Sequence, residues 1–501
     1  MALHVGFLAA EAVPYAKVGG LADVAGALPR ELERHDLHVT LVVPGYRSID
    51  RVRWGLRRVP GTGGSTVAVG DRREPWFLET AELPNSRVRV LFICGRYFDR
   101  DGIYNEPRTG GEFTDQLERW VFFCRAALAA LADQDTRLDI LHLNDHHTTL
   151  AAPYLSEYAR HPRLGDVATF FSIHNLGYQG LFRSPAAPVL ALPPAYLEPM
   201  GAFEFWGAIN LMKGGLVLAD LLGTVSPTYA DEIQSSEEFG HGLEGVLKSR
   251  RRDLVGILNG IDTDVWNPAT DLHLPAHYDA GDPGGKEICK RALLERLGLP
   301  YDPRVPVFAS IGRLAGQKGV DLILDALPAM LQAGIQFVIL GSGQPEYEAK
   351  LQDFVRRAPR QVAATFAFDN GLAHLIEAGA DFFLMPSRYE PCGLNQMYSL
   401  RYGTVPVVRR TGGLADTVRD WEPATGQGNG FTFGAFGRDP FLAAVQRALV
   451  AYRDPAAMRR LRANGMSSDF SWAGPALQYR AAYEAALGRR RARAHPGGAR
   501  V

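Results

Sequence analysis

Cysteine is scarce in this 501-residue chain: Cys94, Cys124, Cys289 and Cys392 are all there is. They lie far apart and form no CxxC pair, which excludes a disulfide scaffold and argues against thiolate zinc and dithiol redox sites. Charge of one sign is lacking too. Lys and Arg total 54 against 55 Asp and Glu, so there is no net basic field for nucleic acid. No stretch approaches the ~18 apolar residues of a membrane span; the best run, 120–131, is cut by Arg125. The apolar start at 3–10 has no basic flank and runs into Glu11, so it reads as a first buried strand rather than a leader. A soluble, cytoplasmic protein of roughly two to three domains is expected.

Glycine is abundant, with 53 residues against an average near ~7%. Between the glycine-rich turns, short apolar runs alternate with helical patterns. Strands are expected at 5–9, 39–43, 88–94, 140–143 and 169–173, and again at 307–311, 336–340, 363–368, 382–385 and 405–408. Continuous rather than alternating apolar runs fit parallel strands covered on both faces. The βαβ rhythm breaks between Trp266 and Pro306, a stretch punctuated by Asn267-Pro268, Gly281-Asp282-Pro283-Gly284-Gly285 and Tyr301-Asp302-Pro303. A short repeat, Gly19-Gly20-Leu21-Ala22-Asp23 and Gly412-Gly413-Leu414-Ala415-Asp416, modestly favours two similar halves. The expected fold is α/β, two doubly wound Rossmann-like domains facing across a cleft at their strand ends, where open α/β sheets bind ligands.

The chemistry-bearing residues follow predicted strands. Lys17-Val18-Gly19-Gly20-Leu21-Ala22-Asp23 opens a helix, and its amides and Lys17 suit an anion; a ligand-free helix-capping turn suits the same residues. Gly312 to Gly319 contains no Walker A pattern, and Gly341-Ser342-Gly343 lacks the third glycine of a dinucleotide fingerprint. Arg313 and Lys318 on one loop suit a diphosphate, by a bidentate fork and a point charge, or are two solvated charges. Glu390, in Ser387-Arg388-Tyr389-Glu390-Pro391-Cys392-Gly393-Leu394, suits sugar hydroxyls or a developing oxocarbenium charge, or a helix N-cap. The histidines of His142-Leu143-Asn144-Asp145-His146-His147 and of His174-Asn175-Leu176-Gly177-Tyr178-Gln179-Gly180 lack metal-ligand spacing, so a polyhydroxyl ligand is preferred to a metal.

Taken together with Val225-Ser226-Pro227-Thr228-Tyr229, Leu258-Asn259-Gly260-Ile261-Asp262 and Arg409-Arg410-Thr411-Gly412-Gly413-Leu414-Ala415-Asp416-Thr417, these motifs occur in an order that resembles the bacterial glycogen synthases and plant starch synthases over roughly residues 3–487. The resemblance implies a GT-B fold and retaining transfer of glucose from a nucleotide sugar, ADP-glucose, to the non-reducing end of an α-1,4-glucan such as glycogen. It implies an N-terminal domain over 1–265, a donor-side domain over 302–468 and a helix over 469–487 crossing back; the broken rhythm reads as a linker over 266–301, and the Arg/Ala/Gly composition of 488–501 as a disordered basic tail.

By the same resemblance Arg313 and Lys318 hold the departing diphosphate, Glu390 contacts the glucose, His174 orients it, and Asp145 lies beside that sugar or the acceptor. Lys17, Gly19, Gly20, Cys392, Gly393, Leu394, Thr411, Gly412 and Gly413 join the donor site. Phe368 stands where a Tyr stacks on the base. Asp23, His146, His147 and Asn259 serve the acceptor or sugar. No metal or cofactor is implied, and neither nucleic acid nor membrane is a partner. Two departures stand out. His146 replaces a family Trp, and Thr148-Thr149 follows where a Gly is usual.

Overall fold

Alternate side chains of each central strand are apolar on both faces, and the two faces fill separate cores. In the second half Phe308, Phe337 and Ile339 enter one cluster while Val307, Ala309, Val338 and Leu340 enter another. This is why the strands read as unbroken apolar runs. The computed structural model describes residues 2–108 and 110–494. They form two units: one holds the chain up to Val225, Ala230–Gly260 and the segment from Trp472, and the other holds Ser226–Tyr229 and Ile261–Ser471.

The first unit is built on a nine-stranded sheet in the order Leu254–Gly256, Leu221–Thr224, Ala168–Ile173, Ile140–Asn144, His4–Leu8, His38–Pro44, Arg89–Cys94, Phe77–Glu82, Arg57–Arg58. The last two run antiparallel to their neighbours and the rest are parallel. His4–Leu8 pairs on both sides, Val5 with Val39 and with Ile140. Chain order reverses beside it, which makes a switch point at the ends of His4–Leu8 and Ile140–Asn144. All five expected strands are present. Leu221–Thr224 escaped notice because Gly223 interrupts it, and a Cβ there would lie 2.4 Å from the Phe170 ring.

Helix Ala473–Ala494 packs on this sheet. The Tyr483 hydroxyl lies 2.8 Å from His142 Nδ1, and Arg493 pairs with Asp220 at 3.0 Å. Arg489 bonds the Arg252 carbonyl at 2.7 Å and pairs with Asp253. Part of the expected basic tail, 488–494, is therefore helical, with Arg489 and Arg493 held by carboxylates; residues 495–501 lie outside the described residues.

The second unit has six parallel strands in the order Val362–Thr365, Gln336–Leu340, Val307–Ile311, Phe382–Met385, Val405–Arg409, Phe431–Phe433. In chain order this is the Rossmann arrangement, and its switch point lies between Val307–Ile311 and Phe382–Met385. The stretch 266–301, expected as a linker, is docked on this unit. Asp271 accepts from His374 Nδ1 at 2.7 Å and from the Tyr402 hydroxyl at 2.6 Å. The Trp266 ring is stacked between His374 and Tyr398. On helix Gly285–Arg296, Lys286 donates to the Ala378 carbonyl and Lys290 pairs with Asp381 at 2.7 Å. Its prolines and glycines mark turns of a packed segment.

The five-residue repeat opens helix Gly20–Arg34 after the first strand of one unit and helix Gly412–Thr417 after the fifth strand of the other. It marks a shared turn chemistry at unequal positions in the two sheets.

Candidate active site

Three loops meet at the strand ends of the second unit. Residues 312–319 follow Val307–Ile311, 386–394 follow Phe382–Met385, and 410–412 follow Val405–Arg409. The Arg388 amide donates to the Gln317 carbonyl at 2.9 Å, lacing the first two together. The third crosses so closely that a Cβ on Gly412, at φ +43°, would lie 1.9 Å from the Glu390 carbonyl oxygen. Only glycine fits such a crossing.

This framework brings Lys318 to Glu390. The ammonium donates to both carboxylate oxygens, at 2.9 and 2.7 Å, and Ser387 Oγ adds a bond to Oε2 at 3.0 Å. Glu390 is buried. It does not cap the next helix, Asn395–Arg401, whose N-cap is Leu394, so the N-cap alternative falls away. Arg313 is exposed on the first loop. Thr411 and Cys392 are buried, Gly413 is buried against Cys392, and Gly393 and Leu394 are half-buried. The Phe368 ring, beyond Val362–Thr365, is 83% exposed.

The first unit assembles a second group at its own switch point. Asp145 follows Ile140–Asn144 with φ +54° and ψ 179°, a region nearly confined to glycine that costs about 1–3 kcal/mol. Its Oδ1 accepts from the His174 amide at 2.8 Å and the Asn175 amide at 3.3 Å. Burial pushes the Asp145 carboxyl up to about 7 against the pull of those two amides. The Asn144 side-chain amide donates to the Leu8 carbonyl, so its oxygen faces His174 and takes the Nε2 proton at 2.8 Å. His174 is thereby left with an Nδ1 lone pair, an acceptor for a hydroxyl, and burial pushes it down to about 3.

His146 donates from Nδ1 to the Tyr178 carbonyl at 2.9 Å and packs where a Cβ on Gly180 would lie 2.6 Å from its ring. His147 stacks on Tyr104 and meets Trp120 edge-on. Thr148, where a glycine was expected, bonds the Asn144 and Asp145 carbonyls. The imidazoles are thus engaged one by one. Among the described residues no group of three or more His, Cys, Asp and Glu is arranged to hold a metal. Asn259 is buried, and its Oδ1 has no hydrogen-bond partner among the described residues.

Lys17 pairs with Asp23 at 2.7 Å. The loop amides behave differently from expectation: Val18 and Gly19 turn inward and donate to Glu11 Oε2 at 2.5 and 3.0 Å. Those two amides are engaged by the protein's own carboxylate, and Lys17 by Asp23. Glu11 is a residue that the sequence reading missed. Its signal was present, an acid directly after an apolar central strand and eight residues before Gly19.

Two family profiles cover most of the chain, one described as starch synthase catalytic domain over residues 4–249 and one as glycosyl transferases group 1 over 298–464. A glycogen synthase from an Anaeromyxobacter species is 47% identical over 96% of this chain and 99% of its own length. One from Myxococcus xanthus is 45% identical with the same coverage. The chain belongs to the glycogen and starch synthase family. Members are glycosyltransferases, and the chain is an enzyme of that class. The catalytic domain of starch synthase IV from Arabidopsis thaliana, solved bound to ADP and acarbose, superposes with a TM-score of 0.90 at 35% identity, covering 97% of this chain and all of that one. The fold is accordingly GT-B, two α/β units with parallel sheets. Among the described residues no helix is long and apolar enough to cross a membrane.

Proposed function

We propose that the enzyme transfers glucose from ADP-glucose to the non-reducing end of an α-1,4-glucan such as glycogen, with retention, and releases ADP. The observation that carries this reading is the Lys318–Glu390–Ser387 group at a Rossmann switch point: a cation for a diphosphate beside a carboxylate for sugar hydroxyls. The ADP bound to the Arabidopsis relative supports the adenosine donor. In this reading Arg313 and Lys318 take the diphosphate with Lys17 as a further cation, and the backbone of 411–413 completes the donor contacts. Phe368 stacks on the base, Glu390 and His174 hold the glucose, and Asp145 and Asn259 serve the sugar or acceptor.

The bond from the anomeric carbon to the diphosphate oxygen breaks as the acceptor oxygen bonds the same face. The acceptor's proton passes to the departing diphosphate oxygen. Catalysis is then positioning plus charge stabilisation on the leaving group, with no metal or cofactor assigned. Four buried cysteines, none of them in a disulfide, favour a reducing compartment, the cytoplasm.

The test is one assay with purified protein, glycogen, and ADP-glucose or UDP-glucose, following released nucleotide and the anomeric configuration of the new linkage by NMR. ADP release with an α linkage is expected. Preference for UDP-glucose would overturn the donor assignment, and a β linkage would overturn the mechanism.

A further inference from the structure

Glu11 has no place in that scheme, yet it is one of the few buried carboxylates of the first unit, 3% exposed. It sits just past the central strand His4–Leu8 and accepts from the two amides that follow Lys17, Val18 at 2.5 Å and Gly19 at 3.0 Å. The Tyr104 side chain lies beside the same carboxylate and favours its charged form, and the Tyr104 ring stacks on His147 at 5.0 Å. The rest of the turn is tied by its own backbone. Ala12 and Ala16 exchange hydrogen bonds, and the Val13 amide donates to the Ala22 carbonyl. The Lys17–Gly19 stretch instead depends on a side chain. A buried carboxylate beside a loop meant for a phosphate would repel it through space, so its retention calls for a compensating role.

We infer that Glu11 is a positioning residue: by holding the Val18 and Gly19 amides it fixes the backbone from which Lys17 reaches the donor's diphosphate. This rests on the reading of Lys17 as a donor-binding residue. The role belongs to the acceptor atom of Glu11, and its charge is incidental. Glutamine in its place can accept from both amides with one oxygen and turn its NH2 to the Tyr104 hydroxyl. Alanine leaves the Val18 and Gly19 amides without their side-chain acceptor and the loop without its anchor.

The test is steady-state kinetics with ADP-glucose and glycogen on Glu11→Gln, Glu11→Ala, Lys17→Ala and the Glu11→Ala/Lys17→Ala double variant, with thermal melts of each. Glu11→Ala is expected to raise the donor KM at least tenfold, to change kcat less than threefold and to leave the acceptor KM unchanged. Glu11→Gln is expected to stay within threefold of wild type. The double variant is expected to match Lys17→Ala alone. Additive losses in the double variant, a Glu11→Gln as impaired as Glu11→Ala, or a donor KM unmoved in Glu11→Ala would each overturn the inference. Should Glu11→Ala not be recovered folded, Glu11→Asp, which withdraws the acceptor by one methylene, carries the same reading. A wild-type enzyme inactive with every nucleotide sugar would refute the proposed function instead, and wild-type activity with a donor KM unchanged in Lys17→Ala would refute only the role of this loop.

Discussion

Lys318 Nζ lies 2.9 and 2.7 Å from the two carboxylate oxygens of Glu390, and the pair is partly shielded from solvent. Without a donor, the cation proposed for the diphosphate is neutralised by the acid proposed for the sugar. A donor must redistribute this pairing, its phosphate drawing on Lys318 while its hydroxyls satisfy Glu390. Glu390→Gln therefore removes a charge that competes for Lys318. It is expected to lower kcat by roughly 10²–10³-fold while ADP binds as tightly as to wild type or more so. Calorimetric titration checks the second point, and weaker ADP binding would place Glu390 on the nucleotide. Lys318→Ala is expected to lose about 2–4 kcal/mol of transition-state stabilisation, read from kcat/KM; a variant with wild-type kcat at saturating donor would remove Lys318 from the leaving-group role.

Phe368 offers a separable prediction because its ring is 83% exposed and contributes little to the core. Phe368→Ala is expected to keep the wild-type melting temperature and kcat. Its donor KM should rise by the worth of one base–aromatic stack, about 1–3 kcal/mol. Phe368→Tyr, which keeps the ring face, should restore it. An unchanged donor KM in Phe368→Ala would take the residue out of the base site.

Asp145 and His174 set the expected pH dependence. Burial holds the Asp145 carboxyl near 7, with Glu11 adding to the rise, so its ionised fraction falls as pH drops through 7. Burial likewise holds His174 near 3, so the imidazole stays neutral across the working range. Initial rates at saturating substrates should fall on acidification below about pH 7 with no separate limb from His174, and Asp145→Asn should flatten that limb at a lower rate. For stability the sign is the opposite of an ordinary paired acid. The folded state keeps a proton that the unfolded state releases from pH ~3.8 upward. Wild type should therefore lose stability relative to Asp145→Asn between about pH 4 and pH 7, as denaturant titrations at the two ends would read.

Much of the architecture was legible because buried parallel strands carry apolar residues on both faces, as Val307–Ile311 and Ile140–Asn144 do. Elements at or next to the sheet edges were not. Phe77–Glu82 alternates with polar residues, and Leu254–Gly256 has only three. Loop motifs supplied the candidate residues, but pairings between loops were invisible: Lys318 and Glu390 are 72 residues apart. Glu11 escaped because its work is done on backbone amides, which leave no side-chain signature. The segment 266–301 was misread because proline and glycine punctuate packed and free chain alike.

Asp381 shows what docks that segment. It accepts from Lys290 at 2.7 Å, from Arg462 at 2.8 Å and from the Val307 amide at 2.9 Å, 4% exposed. Burial alone would raise its carboxyl, but Lys290 and Arg462 outweigh burial and hold it below the ordinary value. Asp381→Asn strands Lys290 and is expected to cost about 3–5 kcal/mol, the penalty for breaking a buried ion pair. Because the folded value is depressed, this contribution is present above pH ~3.8 and fades as pH falls below it. The gap between wild type and variant in urea titrations should accordingly narrow on acidification below about pH 4, and a pH-independent gap would point to lost packing instead of lost charge.

His146 stands where the resemblance implies a Trp, and its surroundings say what an indole there would do. The imidazole donates to the Tyr178 carbonyl at 2.9 Å and fills the space that a side chain at Gly180 would take. An indole can keep a donor toward that carbonyl through its own N–H while offering a wider apolar face to the C–H side of a sugar. His146→Trp is therefore expected to lower the glycogen KM by about 1 kcal/mol in binding terms, roughly five- to tenfold, with kcat and donor KM within twofold of wild type. If the glycogen KM rises or stays put, His146 is not part of the acceptor's path, and the substitution by His in this chain carries no cost in acceptor affinity.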